Sequence, residues 1–142
     1  MKTRIFFTLI ITLLIFNVSK SQAQSENTNN STDKLVVVWT SDDPYVADRV
    51  ALMYTHAAKK AGWFKDVTLI IWGPSAKLTA EYTKFQEKLK AMQKDGVVIE
   101  ACIACASAYG VTDILKNLGF DVKGMGKPLT DYLKSGAKVL TF

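Results

Sequence analysis

Apolar residues along this chain fall into two alternating patterns. Short β-branched runs form the first pattern: Lys34 to Thr40, Val67 to Trp72, Val97 to Ala101 and Ala137 to Phe142. These runs are too apolar to have one wet face, so they predict strands of a buried parallel sheet. A weaker strand is expected near Phe120 to Lys123.

Helical spacing fills the gaps between the runs. Asp43-Pro44 reads as an N-cap followed by proline at the first helical position. The stripe Val46, Val50, Met53, Tyr54, Ala57 and Ala61 follows it, and Gly62 ends the segment. A second helix is expected from Thr79 to Lys94, with Leu78, Tyr82, Phe85, Leu89 and Met92 at helical spacing. A third should run from Cys105 to Leu118, with Ala108, Val111, Leu115 and Leu118 inward. A short fourth, opened by Pro128, should cover Leu129 to Lys134.

Alternation of this kind predicts an α/β fold. The sheet should be doubly wound, mostly parallel and five-stranded, with helices on both faces in a flavodoxin- or Rossmann-like three-layer arrangement. Ligands of such sheets gather outside the carboxyl ends of the strands. Four links lie at that edge: Thr40 to Pro44, Trp72 to Lys77, Cys102 to Cys105, and Gly124 to Lys127.

The amino end follows a different pattern. Lys2 and Arg4 precede an almost unbroken apolar run from Ile5 to Val18, and Ser21-Gln22-Ala23 supplies small residues for cleavage. Residues 1–23 therefore read as a secretory signal, too short an apolar run to span a bilayer that needs about 20 residues. Residues 24–33 have no apolar side chain to bury and read as a disordered leader, leaving 34–142 as one domain. The mature protein is expected to be exported, periplasmic or secreted, with no membrane contact after cleavage.

Charge changes once the signal is set aside. The whole chain carries a net +5. Removing Lys2, Arg4 and Lys20 from 18 basic residues leaves 15 against 13 acidic ones, a net +2. Without a basic run, nucleic acid is not an expected partner.

Candidate chemistry centres on the two cysteines, Cys102 and Cys105, where the third strand hands over to its helix. A thiol there meets unpaired backbone N–H groups and the positive helix end, which favour thiolate and lower its pKa. Two other readings stand beside that one. Free cysteines often pack as small hydrophobes. An exported protein can also hold a disulfide, although a four-residue loop would contribute only about 2 kcal/mol.

Other chemistries lack residues. A zinc site needs two more ligands, and His56 is the single histidine. No cofactor or metal is expected: Ala106 stands where haem attachment needs histidine, and Gly73-Pro74-Ser75-Ala76-Lys77 lacks phosphate-loop spacing. Ser41, Ser75 and Ser107 have no nucleophile-elbow context. Pocket walls are expected from Ser41, Asp42, Trp72, Gly73, Pro74, Gly124 and Met125, with Asp42 and Asp43 reading as a solvated neighbour and an N-cap.

Four features together resemble the DsrE superfamily, which includes the small sulfur-relay proteins of the DsrE/DsrF and TusD/TusC kind. They are a first strand running into Thr40-Ser41-Asp42-Asp43-Pro44, a strand ending in Trp72-Gly73, a strand ending in Cys102 with Gly110 eight residues on, and a closing strand Lys138 to Phe142. The resemblance implies a homo-oligomer, trimer or hexamer, and a persulfide on the cysteine ending the third strand, matched by Cys102. It implies a sulfur carrier or sulfurtransferase-like protein working with a sulfur donor or acceptor protein. Relay members act in the cytoplasm, whereas this chain reads as an exported variant. From the residues themselves, Cys102 would be nucleophile and persulfide holder and Cys105 the resolving thiol. Two rivals keep the fold: a non-catalytic oligomeric binding module and a periplasmic thiol–disulfide protein.

Overall fold

A computed structural model describes residues 33–142, and the expected signal and most of the leader lie outside them. Five strands form one parallel sheet: β1 (Lys34–Trp39), β2 (Asp66–Ile71), β3 (Val98–Cys102), β4 (Asp121–Lys123) and β5 (Lys138–Thr141). Their order is β4-β3-β2-β1-β5. Every pairing is parallel, with Val38 opposite both Ile70 and Thr141, Ile70 opposite Glu100, and Cys102 opposite Lys123.

This order dictates where the helices go. The chain steps from β1 to β4 in one direction, so right-handed crossovers put every intervening helix on the same face. The return from β4 past three strands to β5 reverses direction and puts its helix on the other. The larger core accordingly joins Leu35, Val37, Trp39, Leu69, Ile71 and Ile99 to helical Leu52, Phe85, Leu89 and Leu115. The opposite face holds a small cluster, Val36, Val38, Ile70, Cys102 and Met125. Helices do flank both faces, but unequally.

The first helical region comprises α1 (Pro44–Val46), a π-helical stretch Ala47–Ala51, and α2 (Leu52–Lys60). Asp43 caps it by accepting the amides of Tyr45 at 2.7 Å and Val46 at 3.2 Å. The Leu52 amide donates five residues back to the Ala47 carbonyl. That wider turn rotates the helix, so Ala47, Ala51, Leu52, Thr55 and Ala58 are buried while Val50 and Met53 are exposed. The inward stripe is thus not the one expected from Val46, Val50 and Met53, because the π turn breaks the 3.6-residue period.

Two expected helices are each divided. The second begins earlier and breaks at Tyr82, whose φ −120° and ψ 107° are extended, giving α3 (Ser75–Glu81) and α4 (Thr83–Lys94). The third breaks at Gly110, where φ +69° ends a helix at no steric cost. It becomes α5 (Ile103–Ala108) and α6 (Thr112–Asn117). The last, α7 (Gly126–Lys134), starts before Pro128 and packs Leu129 and Tyr132 on the small-cluster face. No helix of the described residues is long and apolar enough to cross a membrane.

Candidate functional site

The carboxyl edge of the sheet is stitched by backbone polar groups. The Trp72 amide and the Ser75 hydroxyl both donate to the Trp39 carbonyl, at 3.0 Å and 2.6 Å. At the neighbouring strand end, the Thr40 hydroxyl and amide donate to the Phe142 carbonyl at 2.8 Å and 2.7 Å. These bonds fix the ends of β1, β2 and β5 relative to one another.

Cys102 ends β3 and takes the N-cap position of α5 in extended conformation, φ −73° and ψ 114°. Strand alternation places it on the thinly covered face, beside Val36, Val38 and Ile70. Its exposure is only 5 %. Cys105, one helical turn on, is half-buried and packs against the same cluster, and both thiols are free. Both thiols thus meet one cluster at the strand end, and the Gly73 amide, in the link after β2, lies at the same edge of the sheet. Gly73 holds φ +69°, the conformation of the tight turn that brings this amide to the edge.

The Cys105 thiol is pushed up from the ordinary thiol value, first by burial and then by the neighbouring Cys102 sulfur; the Gly73 amide opposes them. For this thiol, the expectation of a helix start lowering the pKa is corrected. Loss of hydration outweighs the nearby amide.

Of the expected pocket walls, the structure gathers Trp72 and Met125 with the cysteines in the Cys102 cluster, and Gly73 follows Trp72, half-buried. Gly124 is exposed beside Met125. Pro74 is exposed and precedes α3. Ser41 serves the turn, its hydroxyl accepting the Asp43 amide at 3.1 Å, and Asp42 is exposed next to it.

A polar network lies two residues back along β3. Glu100 is buried and shares the Cys102 face. Its carboxylate accepts Lys123 at 2.7 Å and the Tyr132 hydroxyl at 3.1 Å on each oxygen. Lys123 also pairs with Asp121. Asp121 and then Glu100 raise the Lys123 pKa, keeping the ammonium charged. Burial, reinforced by Glu100, raises that of Tyr132. Lys34 sits 4.4 Å from the Tyr132 ring centre, a cation–π distance. The sequence signal for this network was a lone glutamate inside an apolar strand, which must find a partner when buried.

Elsewhere, His56 hydrogen-bonds Asp95 at 2.6 Å, an interaction that lowers the Asp95 pKa. A separate open cleft of about 350 Å3 is lined by Pro44, Tyr45, Asp48, Arg49, Tyr82, Lys84 and Phe85, and shares no residue with the cysteine edge. Among the described residues, no cluster of three or more histidine, cysteine or acidic side chains could hold a metal ion.

The chain is similar to a conserved protein of unknown function, BT1422, from Bacteroides thetaiotaomicron. They share 40 % identity and a TM-score of 0.78 over 82 % of this chain and all of that one. It is similar in fold to the ychN protein from E. coli, with 18 % identity and a TM-score of 0.60 over 78 % of this chain and 99 % of the other. No curated protein matches it. The sequence profile of the DsrE/DsrF-like family matches residues 33–142, the whole α/β unit with both cysteines, and the chain belongs to that family.

Proposed function

We propose that this DsrE/DsrF-like protein carries sulfur as a persulfide on Cys102 and releases it with Cys105. The observation that supports this reading is the placement of two free thiols at the end of β3, one helical turn apart and packed in one cluster. In the loading step the Cys102 thiolate attacks the outer sulfur of a donor persulfide, R–S–SH. A new S–S bond forms on Cys102, the donor S–S bond breaks, and R–S⁻ leaves. In the release step the Cys105 thiolate attacks the Cys102 sulfur. The Cys102–Cys105 disulfide forms and HS⁻ departs. An external dithiol then reduces the disulfide and is itself oxidised to a disulfide.

The elevated Cys105 pKa serves this order. A resolving thiol kept protonated is a poor nucleophile, so the loaded persulfide persists until a base or an acceptor arrives. The test is to load the reduced protein with a persulfide donor and map each cysteine by peptide mass spectrometry. One added sulfur on Cys102, retained longer in Cys105→Ser, is expected. Absence of sulfur on Cys102 of the reduced wild type overturns the reading.

The 5 % exposure of Cys102 favours a second reading, a binding module that keeps the fold without thiol chemistry. Under that reading Cys102→Ser retains every cellular phenotype. We also infer export from the apolar leader, to be checked by fractionation. Assembly with further copies of the chain is supported by the exposed side chains Tyr45, Met53 and Trp63, and sedimentation measures it.

A further inference from the structure

We propose that Met125 and α7 form a lid over Cys102, hinged at Gly124 and Gly126. The first observation is what covers the thiol. Four of the five buried members of its cluster are strand residues on one sheet face: Val36, Val38, Ile70 and Cys102 itself. The fifth, Met125, is 1 % exposed and immediately precedes α7. Leu129 and Tyr132 of α7 pack against the same cluster. Beside Trp72 and Cys105, which pack on the cluster from the sheet edge, what covers these strands comes from Met125 and the helix behind it.

The cover is lightly held. No residue of α7 is fully buried. Its anchors are the Tyr132 hydroxyl on Glu100 and the Lys34 ammonium over the Tyr132 ring, both at the helix end far from Gly124. An element with little buried apolar surface opens at low free-energy cost.

The glycines flanking Met125 supply the second observation. Neither Gly124 nor Gly126 has a positive φ. A Cβ built on either meets nothing within 4 Å. The closed conformation therefore requires glycine at neither position, for backbone angle or for space. Glycine weakens a helix relative to alanine, as Gly126 does at the start of α7. Paired glycines with no static reason fit a hinge whose backbone angles change between two arrangements.

The lid goes beyond the sulfur-carrier reading and explains how a buried thiol can react: closed, it keeps bulk thiols and oxidants from Cys102, and open, it admits a partner. It would apply equally to a buried thiol with another use. Its test uses no sulfur donor, so the two proposals fail independently.

The full reduced protein is treated with N-ethylmaleimide, and the labelling rate of each cysteine is followed by peptide mass spectrometry. Met125→Ala should speed Cys102 labelling about tenfold by removing the cover, with Cys105 changing less than about twofold. The double variant Gly124→Ala/Gly126→Ala, which adds methyl groups only into open space, should slow Cys102 several-fold by stiffening the hinge. Circular dichroism and a urea midpoint establish that each variant is folded. If Met125→Ala fails to fold, the double-alanine variant decides. Cys102 labelling at the wild-type rate in that variant, or an unchanged Cys102 to Cys105 ratio in folded Met125→Ala, overturns the lid.

Discussion

Both carboxylate oxygens of Glu100 accept the single hydroxyl proton of Tyr132, each at 3.1 Å, so one side chain of α7 is forked onto a buried acid of β3. The same acid holds Lys123 at 2.7 Å. The fork joins the thin cover of the sheet to the strand that ends in Cys102. Removing it should be felt in stability and at the thiol.

Tyr132→Phe keeps the ring beneath Lys34 and deletes only the donor. A hydrogen bond to a charged group contributes about 1.5–3 kcal/mol, and half-burial of the tyrosine puts this one at the lower end. The unfolding free energy should fall by that amount, read as a lower urea midpoint with an unchanged slope, and Cys102 should label faster. A midpoint equal to wild type would mean that Lys123 alone satisfies Glu100.

Asp48 accepts both Lys84 and Lys88 at 2.8 Å, contacts that lower its pKa from 3.8 to about 2. A carboxyl whose folded value is depressed stabilises the fold above its unfolded value. That stabilisation is lost as pH falls from about 4 toward 2. The stability difference between wild type and Asp48→Asn should therefore shrink across that window, as read by urea midpoints at pH 5, 3 and 2. A difference that stays constant would remove the ion pairs from the stability of α4 against the π-helical stretch.

Burial and the neighbouring sulfur hold the Cys105 proton. Sulfide release from the loaded protein needs the Cys105 thiolate. Its rate should keep climbing with pH past about 8.5, the ordinary thiol value. A plateau below that value, seen with a sulfide-sensitive dye, would place the rate-limiting deprotonation elsewhere.

Trp39 is fully buried, and its Nε1 is the buried side-chain polar atom without a partner among the described residues. Its ring meets Phe85 edge-on with centroids 6.1 Å apart. Trp39→Phe gives up no hydrogen bond and leaves the smaller cavity, so it should cost less than Trp39→Ala, which should cost about 3–5 kcal/mol. Similar losses from the two would indicate that the indole N–H is satisfied in solution.

The strands were legible because β-branched runs such as Val36-Val37-Val38 and Leu69-Ile70-Ile71 have no alternative burial. Even the weak fourth strand, Asp121–Lys123, forms. Helix interiors were less legible. A period count cannot register the extra residue of the π turn, so Val50 and Met53 were assigned inward. Nor does it see that Tyr82 leaves the helix while keeping Phe85 and Leu89 in phase. The position of Cys102 at a strand end could be read from order and spacing. Its burial could not, because that depends on the return crossover placing Met125 and α7 on its face. Glu100 is a charge in a strand of otherwise apolar residues, a signal the run-by-run reading passes over, and its partners Lys123 and Tyr132 lie 23 and 32 positions away.

Because the buried apolar residues of the helices before β4 join the larger core on one side of the sheet, the molecule separates two properties that usually compete. The thick side supplies the folding free energy, and substitutions there act through thermal resistance. The thin side holds the smaller cluster, and its residues are the ones placed to tune reactivity. Selection can alter what approaches the thiol while leaving the larger core untouched, a division of labour made by the direction of the crossovers.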